Sequence, residues 1–323
     1  MGGGLSPAVA AVRNAVRAAL AGCEPGSLVL AACSGGPDSL ALAAALAFVA
    51  PRAGLRAGAV TVDHGLQAGS ADRAAAVAAV LGGLGLDPVR SVAVAVDGGG
   101  GPEAAARTAR YAALEAAAAD LGATTVLLGH TLDDQAETVL LGLGRGSGAR
   151  SLAGMPRRRG IFLRPLLGLR RQVTTGACAA LDLEPWTDPH NADRRFARVR
   201  VRLDALPALE AAIGPGVAEA LARTADQLRD DAEALEAIAS PQPSGDPDRM
   251  SAASLAGLPG AVRSRVLRSA ALAAGCPATA LTSAHVTRIE ELVTDWRGQR
   301  WIDLPGGVRA TRRSGQVLFE PTR

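Results

Sequence analysis

The chain predicts an α/β fold, a parallel sheet covered by helices on both faces, followed by a second, smaller and mainly helical α+β unit. Three observations carry this. Short apolar runs alternate with helix-patterned stretches of about a dozen residues through the first part of the chain, the signature of a doubly covered parallel sheet. The stretch S-P-Q-P-S-G-D-P-D at 240–248 is polar and proline-rich, as a linker between folding units is. Beyond it, three helical patterns lead into three short strand patterns. At 323 residues the chain is long enough for a large domain and a small one. We read 1–210 as the larger domain, 211–247 as helix and linker, and 248–323 as the smaller domain.

Taken in order, Ala8 to Leu20 reads as a helix, followed by a turn at Glu24-Pro25-Gly26. The run L-V-L-A-A-C from Leu28 suits a fully buried strand, and Pro37 at the first turn opens its helix, which reaches Ala50. A second strand spans Arg56 to Val62 and ends in V-D-H-G-L; a helix from Ser70 to Leu84 leads to a third strand, Val89 to Val96. After a glycine loop at Gly98–Gly101, Pro102 and Glu103 open a long helix to Leu121, and Val126 to Leu128 complete a fourth strand. Gly129-His130 turns into another helix. From Arg145 the pattern is looser: a helix over Leu169–Leu181, then Ala208–Ala239 as helix interrupted at Gly214-Pro215-Gly216. The last unit reads as helices at Ala252–Leu258, Gly260–Ala274 and Ser283–Asp295, with strands at Trp301–Leu304, Val308–Arg312 and Gln316–Phe319.

Composition narrows the chemistry. All 34 basic residues are arginine, so any cation that touches a phosphate is arginine, histidine or a metal. Net charge is +3 and the pI about 9.0, but the charge is unevenly spread. Between Arg145 and Arg202 there are 13 arginines against four acids, a pattern that favours a polyanionic partner. The four cysteines, Cys23, Cys33, Cys178 and Cys276, are scattered and form no C-x-x-C pair, which argues against zinc or iron–sulfur sites and for free thiols. The longest apolar run, Leu40 to Ala50, is too short for a bilayer and no signal sequence opens the chain, so the expectation is a cytoplasmic protein with no membrane partner.

The chemistry concentrates at the predicted carboxyl ends of strands, where ligands of parallel sheets bind. In S-G-G-P-D-S, Ser34, Gly35 and Gly36 let backbone amides close on a ligand, and the helix opened by Pro37 presents free N–H groups and a positive dipole end to a phosphate. The hydroxyls of Ser34 and Ser39 can donate to phosphate oxygens, while Asp38 repels them unless it meets Mg2+ or a backbone donor. No G-x-x-x-x-G-K-[ST] is present, so this is not a Walker A loop. In G-H-T-L-D-D-Q-A-E-T, helical spacing puts His130, Asp133, Asp134 and Glu137 on one face opposite Leu132, Ala136 and Val139. That face is either a solvated surface or a cluster able to hold Mg2+ or receive an ammonium group and its proton. Arg107 and Arg110 lie one turn apart, free to reach phosphates or to pair at the surface, and Tyr111 serves core packing or base stacking. Farther on come R-G-S-G from Arg145, R-P-L-L from Arg164, and D-P-H-N from Asp188, whose tail alternates Arg198, Arg200 and Arg202 on one face if it is a strand.

S-G-G-P-D-S, V-D-H-G-L, A-R-x-x-R-Y, G-H-T-L-D-D-Q-A-E-T, R-G-S-G, R-P-L-L and D-P-H-N stand in order over about residues 28 to 207. Together they resemble the tRNA(Ile)-lysidine synthetases, a family of PP-loop N-type ATP pyrophosphatases, and the later unit resembles that family's small substrate-binding domain. The resemblance implies a Rossmann-like sheet and a two-step reaction. The 2-oxo oxygen of the wobble cytidine in a CAU-anticodon tRNA(Ile) attacks the α phosphate of ATP and pyrophosphate leaves; the ε-amine of free L-lysine then displaces AMP at carbon 2 to form lysidine. It implies ATP at Ser34, Gly35, Gly36, Pro37, Asp38 and Ser39, with Mg2+ at Asp38. Asp134 and Glu137 are nominated to bind lysine and assist its deprotonation, His130 and Asp133 to lie beside the adenylate, and Arg110 to stabilise phosphate charge. His64, Arg107, Arg145, Arg198 and Arg200 are nominated for the tRNA, and a homodimer is left open. Two departures stand out: Val199 replaces an asparagine usual in the family's R-N-x-I-R segment, and the chain stops after the second domain, without the third domain of longer members. The rival reading is a PP-loop tRNA thiolase, which generally needs catalytic cysteines or a C-x-x-C cluster. A glutamine amidotransferase would carry cysteine where Gly2 stands.

Overall fold

The computed structural model describes residues 6–63, 65, 69–94, 102–145, 149–240 and 249–322. The chain divides into two compact units, Met1–Leu228 and Arg229–Arg323. His64, Gly98–Gly101, the glycines and serine of R-G-S-G, and all of the 240–248 linker except Ser240 lie outside the described residues.

The first unit opens with α1 (Pro7–Leu20), then β1 (Leu28–Ala32), α2 (Pro37–Arg52), β2 (Arg56–Asp63), α3 (Ser70–Gly83), β3 (Val89–Ala93), α4 (Pro102–Leu121), β4 (Ala123–Leu128) and α5 (Leu132–Gly144). A short α6 (Ala149–Leu152), β5 (Arg158–Arg159), β6 (Phe162–Leu163) and α7 (Arg171–Ala180) follow. The sheet order is β3-β2-β1-β4-β6-β5, and only β5 runs antiparallel to its neighbour. β1 lies in the interior of the sheet and is apolar throughout because it is covered on both faces. Val29 and Ala31 pack with Val16, Leu42 and Leu46 of α1 and α2 on one side; Leu28 and Leu30 pack with Leu114 and Ala118 of α4 on the other. That burial places its carboxyl end, and the loop leaving it, at a fixed position above the sheet.

Four expectations change. The third strand ends at Ala93, with Val94 outside it and Ala95 and Val96 outside the described residues, and it is partly exposed because it lies at the sheet edge. The segment after Arg145 contributes β5 and β6, whose two residues each are too few to show a period. His130 lies before the N-cap Thr131, so helical spacing does not place it on α5.

The arginine tail is helical rather than extended: α8 (Ala197–Arg200) passes through a π turn at Val201–Ala205 into α9 (Leu206–Ile213). The strand alternation of Arg198, Arg200 and Arg202 therefore fails. At helical spacing Arg198 and Arg202 share one face, and both reach the carboxylate of Glu137. Arg200 turns away and donates to the carbonyls of Arg194 and Arg195.

α10 (Val217–Ala239) begins after Gly214 and Gly216, both at positive φ, and the division between the units falls inside it. In the second unit, β7 (Arg249–Ser251), α11 (Ala252–Ala256), α12 (Gly260–Ala273), α13 (Ser283–Thr294), β8 (Ile302–Leu304), β9 (Val308–Arg313) and β10 (Gln316–Pro321) form an antiparallel sheet of order β7-β10-β9-β8 with helices packed on it. Its core is Leu255, Leu267, Ile289, Leu292, Val308 and Val317 with their neighbours. Among the described residues no single helix is long and apolar enough to cross a membrane.

Candidate active site

The loop from β1 to α2 is shaped by its small residues. Gly35 has φ +84°, and a Cβ there would lie 2.7 Å from Cγ2 of Val77 on α3, so glycine is required twice over. Ser39 closes the loop: its hydroxyl accepts from the Ser34 amide at 3.2 Å and donates to the Gly36 carbonyl at 3.0 Å. Gly36 is the N-cap of α2 and has no capping side chain, while Pro37 removes one donor that would be unpaired anyway. The remaining N–H groups of the first turn are open to an anion. At the end of β4, a Cβ on Gly129 would sit 3.1 Å from backbone atoms of Asp38 and Ser39, so the end of this strand and the first turn of α2 meet through backbone.

This loop forms one wall of a cavity of about 620 Å³ bordered also by Val62, Arg110, His130 and Asp134. The volume lies in the range of small-molecule sites. Asp38, in its first helical turn, accepts hydrogen bonds from the Thr174 hydroxyl and from Nε of Arg171 at 3.4 Å. Burial pushes its carboxyl above the usual range, and Thr174 and Arg171 pull against that.

On α5, Thr131 and Asp134 form a capping box: the Thr131 amide donates to Asp134 Oδ2 at 2.8 Å and the Thr131 hydroxyl to the same oxygen at 3.0 Å. Arg171 Nη2 donates to the other oxygen, Oδ1, at 2.8 Å. Burial favours the neutral acid, but Arg171 and the Thr131 amide outweigh it and hold the Asp134 carboxyl below its ordinary value. Asp134 is thus an anion facing the cavity.

The solvated-face reading of α5 fails at Glu137, which is fully buried. Its carboxylate is met by Arg202 Nε at 2.7 Å, Arg198 Nε at 3.2 Å and Arg171 Nη1 at 3.5 Å. Asp133 takes the Arg171 amide at 2.7 Å and Arg170 Nε at 3.2 Å. Asp133 and Glu137 border a second cavity of about 140 Å³, and Arg171 and Arg202 line both cavities.

His130 faces the larger cavity, its Nδ1 buried with no hydrogen-bond partner. Burial, reinforced by Arg110, Arg164 and Arg107 against the opposing pull of Asp134, pushes its imidazole down to about 3. The ring is therefore neutral through the physiological range. Its folded value lies below the unfolded one, so stability from this group is complete above about pH 6.5 and is lost as pH falls from there toward about 3. A proton NMR titration is expected to show the His130 ring resonances flat from pH 8 to 5; a midpoint near 6.5 would overturn this environment.

Opposite stands a positive wall. Arg107 and Arg110 of α4 border the cavity, and neither has a carboxylate partner among the described residues. Tyr111 belongs to the core: its ring meets Phe162 edge-on at 4.9 Å, and its hydroxyl accepts from Arg164 at 3.1 Å and Arg107 at 3.4 Å. The buried Arg164 thereby steadies the more exposed Arg107.

Of the residues nominated for tRNA, Arg145 is exposed at the end of α5, and Arg198 is turned inward, donating to the Thr138 hydroxyl at 2.7 Å. His64 lies outside the described residues. Part of the basic segment is engaged in exposed surface pairs, Arg157 with Asp226, Arg194 with Asp204 and Arg195 with Asp193. Sequence reasoning missed Arg171 and Arg202 as site residues. The four-residue spacing of Arg198 and Arg202, set against the acids of α5, was the available signal. It also missed the D-P-H-N approach: the Trp186 amide donates to the Gly35 carbonyl at 2.9 Å, and Arg73 stacks on the Trp186 ring at 3.8 Å. Burial raises the thiols of Cys33 and Cys276 and pushes that of Cys178 up to about 11, so none of these three is a poised nucleophile.

A glycine loop between a buried parallel strand and an uncapped helix, opening on a cavity bordered by two arginines that lack a carboxylate partner among the described residues, is the phosphate-site arrangement of the PP-loop class, whose members use ATP. A PP-loop domain family matches residues 10–209, and a TilS substrate binding domain family matches 250–319. Over 318 residues the chain is 61% identical to the tRNA(Ile)-lysidine synthase of Thermobifida fusca, covering 98% of each chain. It is 55% identical over 348 residues to that of Streptomyces coelicolor, covering 98% of this chain and 99% of the other. The chain belongs to the tRNA(Ile)-lysidine synthase family. A U34-tRNA thiolase of Methanococcus maripaludis with a 4Fe-4S cluster shares the fold, with TM-score 0.58, 19% identity, and coverage of 69% of this chain and 80% of that one. At that identity the likeness extends to the fold alone.

Proposed function

We propose that the chain activates the wobble cytidine of a CAU-anticodon tRNA(Ile) with ATP and joins free L-lysine to its carbon 2. The observation that carries this is the shared cavity: the uncapped start of α2, the unpaired Arg107 and Arg110, neutral His130 and anionic Asp134 all face one space. Ser34, Gly35, Gly36 and Ser39 hold the triphosphate by backbone amides and hydroxyls, and Pro37 sets the start of α2 that presents them. Asp38, the carboxylate of the first turn of α2 that borders the cavity, would hold Mg2+ beside the phosphates on exchanging its contacts with Thr174 and Arg171, as this ion is ordinarily held by one or two carboxylates. Bound there, Mg2+ would neutralise charge on the departing pyrophosphate.

Arg110, with Arg107, stabilises the charge that develops on the α phosphate as the cytidine oxygen attacks. Lysine's ε-amine, with pKa near 10.4, is about three units from neutral at pH 7, a handicap of roughly 4 to 5 kcal/mol. Asp134 on the larger cavity receives the ammonium and assists loss of its proton, while Glu137, buried beneath it, holds Arg171, Arg198 and Arg202 in place around the site. His130, kept neutral, hydrogen-bonds the adenylate without adding charge, and Asp133 orients Arg170 and Arg171 beside it. Residues 1–210 carry this chemistry and 248–323 carry tRNA contacts, in the cytoplasm where the tRNA is.

The test is direct. Purified protein incubated with ATP, Mg2+, labelled lysine and CAU-anticodon tRNA is expected to yield, on nuclease digestion, a labelled nucleoside, with pyrophosphate release that depends on the tRNA. Release without tRNA dependence, or RNA without label, would overturn the proposal.

A further inference from the structure

The second unit carries a surface that the catalytic chemistry does not use. Aromatic residues make up only 2% of the chain, and there are three tryptophans. Two of them, Trp296 and Trp301, stand on one seven-residue connection, D-W-R-G-Q-R-W, between α13 and β8. Both are among the exposed large apolar side chains, at 48% and 43%. Exposed indoles on a chain so poor in aromatics ask for a partner.

The connection is built rather than loose. Gln299 Nε2 donates to the Asp295 carbonyl at 2.9 Å, Gln299 Oε1 accepts from the Arg297 amide at 2.7 Å, and Gly298 takes φ +86° between them. Each indole also meets a guanidinium from β9: Arg309 lies 4.4 Å from the Trp301 ring centre and Arg312 lies 4.9 Å from that of Trp296. From Asp295 to Arg313 there are five arginines, at 297, 300, 309, 312 and 313, against two acids, Asp295 and Asp303. Exposed pairs engage three of them, Arg297 with Asp295 at 3.0 Å, Arg309 with Asp303 at 2.8 Å and Arg313 with Glu320 at 3.6 Å, which leaves Arg300 and Arg312 without an acidic partner among the described residues. Arg300 is exposed and has no ion-pair partner among the described residues.

We propose that this connection, with Arg309 and Arg312 behind it, is an RNA-binding surface on which the two indoles stack against bases or ribose while Arg300, and Arg297 on exchanging its exposed pair with Asp295, meet phosphates. Aromatic faces interleaved with arginines are what single-stranded or loop RNA binds. The charge excess commits the surface to a polyanion rather than to a second copy of this chain, which is equally basic there. The inference rests on the tRNA reading above and adds to it a specific contact surface remote in sequence from the PP-loop.

The experiment uses the full chain and CAU-anticodon tRNA, with dissociation constants measured by filter binding from 50 to 300 mM salt. Trp301→Ala and Trp296→Ala are each expected to weaken binding about tenfold, the effect of losing one stacked base, and Trp301→Phe to recover most of it. Arg297→Ala with Arg300→Ala is expected to reduce the salt slope by between about one and two units. Circular dichroism and the melting temperature of each variant show that the fold is kept. Affinities within twofold of the parent, or a salt slope unchanged, would overturn the surface. So would a tryptophan variant that keeps its affinity but changes oligomeric state in sedimentation, which would assign the indoles to a protein contact. Labelled-lysine incorporation by the parent protein separates the two levels: if it fails, the tRNA reading falls; if it succeeds while the variants bind normally, only this surface falls.

Discussion

Glu137→Gln is expected to lower the melting temperature of the first unit by about 10 °C, the largest stability effect of any single side chain in the site. The carboxylate is fully buried, and Arg171, Arg198 and Arg202 all approach it within 3.5 Å. A buried ion pair is weak grounds for stability in itself, because desolvation offsets the attraction. Removing one partner is different, since it leaves uncompensated charge in a low dielectric at a cost of about 3 to 5 kcal/mol. Glutamine keeps the shape and loses the charge, so the deficit is electrostatic rather than a cavity. Combining it with Arg202→Met should restore part of the loss. Differential scanning calorimetry on the full chain reads both, and a shift under about 2 °C for the single variant would mean that water or relaxation already screens the arginines.

The second large effect falls on turnover. Gly35→Ala is expected to reduce kcat/KM for tRNA-dependent pyrophosphate release about a hundredfold, while shifting the melting temperature by only a few degrees. The added methyl has two conflicts: a positive φ that L-residues avoid and a 2.7 Å approach to Val77 Cγ2, which cannot swing aside as a long flexible side chain could. Either conflict moves the loop amides by an appreciable fraction of an ångström, enough to spoil alignment at the α phosphate. Val77→Ala in the same chain removes the steric conflict but not the φ conflict, so it should recover activity in part. Full activity in Gly35→Ala alone would show that the loop does not set phosphate geometry.

Legibility in the sequence followed the range of the forces involved. The start of α2 was readable because strand burial, turn chemistry and the helix start are decided within a dozen contiguous residues, Leu28 to Ser39. The acids of α5 were readable as a group, yet their surroundings were not: the partners of Glu137 lie 34, 61 and 65 residues away by number, at Arg171, Arg198 and Arg202. The helical path of Ala197–Ile213 shows the same limit. Alternating arginine and valine permit a strand when read alone, and the opportunity for Arg198 and Arg202 to meet one buried carboxylate makes the helix the better solution.

By itself, then, the sequence determined where the doubly covered sheet begins, which glycine loop opens α2, and the family to which the motifs point, because each depends on neighbours along the chain. Only the tertiary structure decided how the charge is spent. Within what reads as a free basic segment, Arg170, Arg171, Arg198 and Arg202 are drawn onto acids folded against them, while Arg107 and Arg110 face the cavity. Ion pairing is settled by distances through space and by the desolvation that comes with burial, and neither is written in the order of the residues.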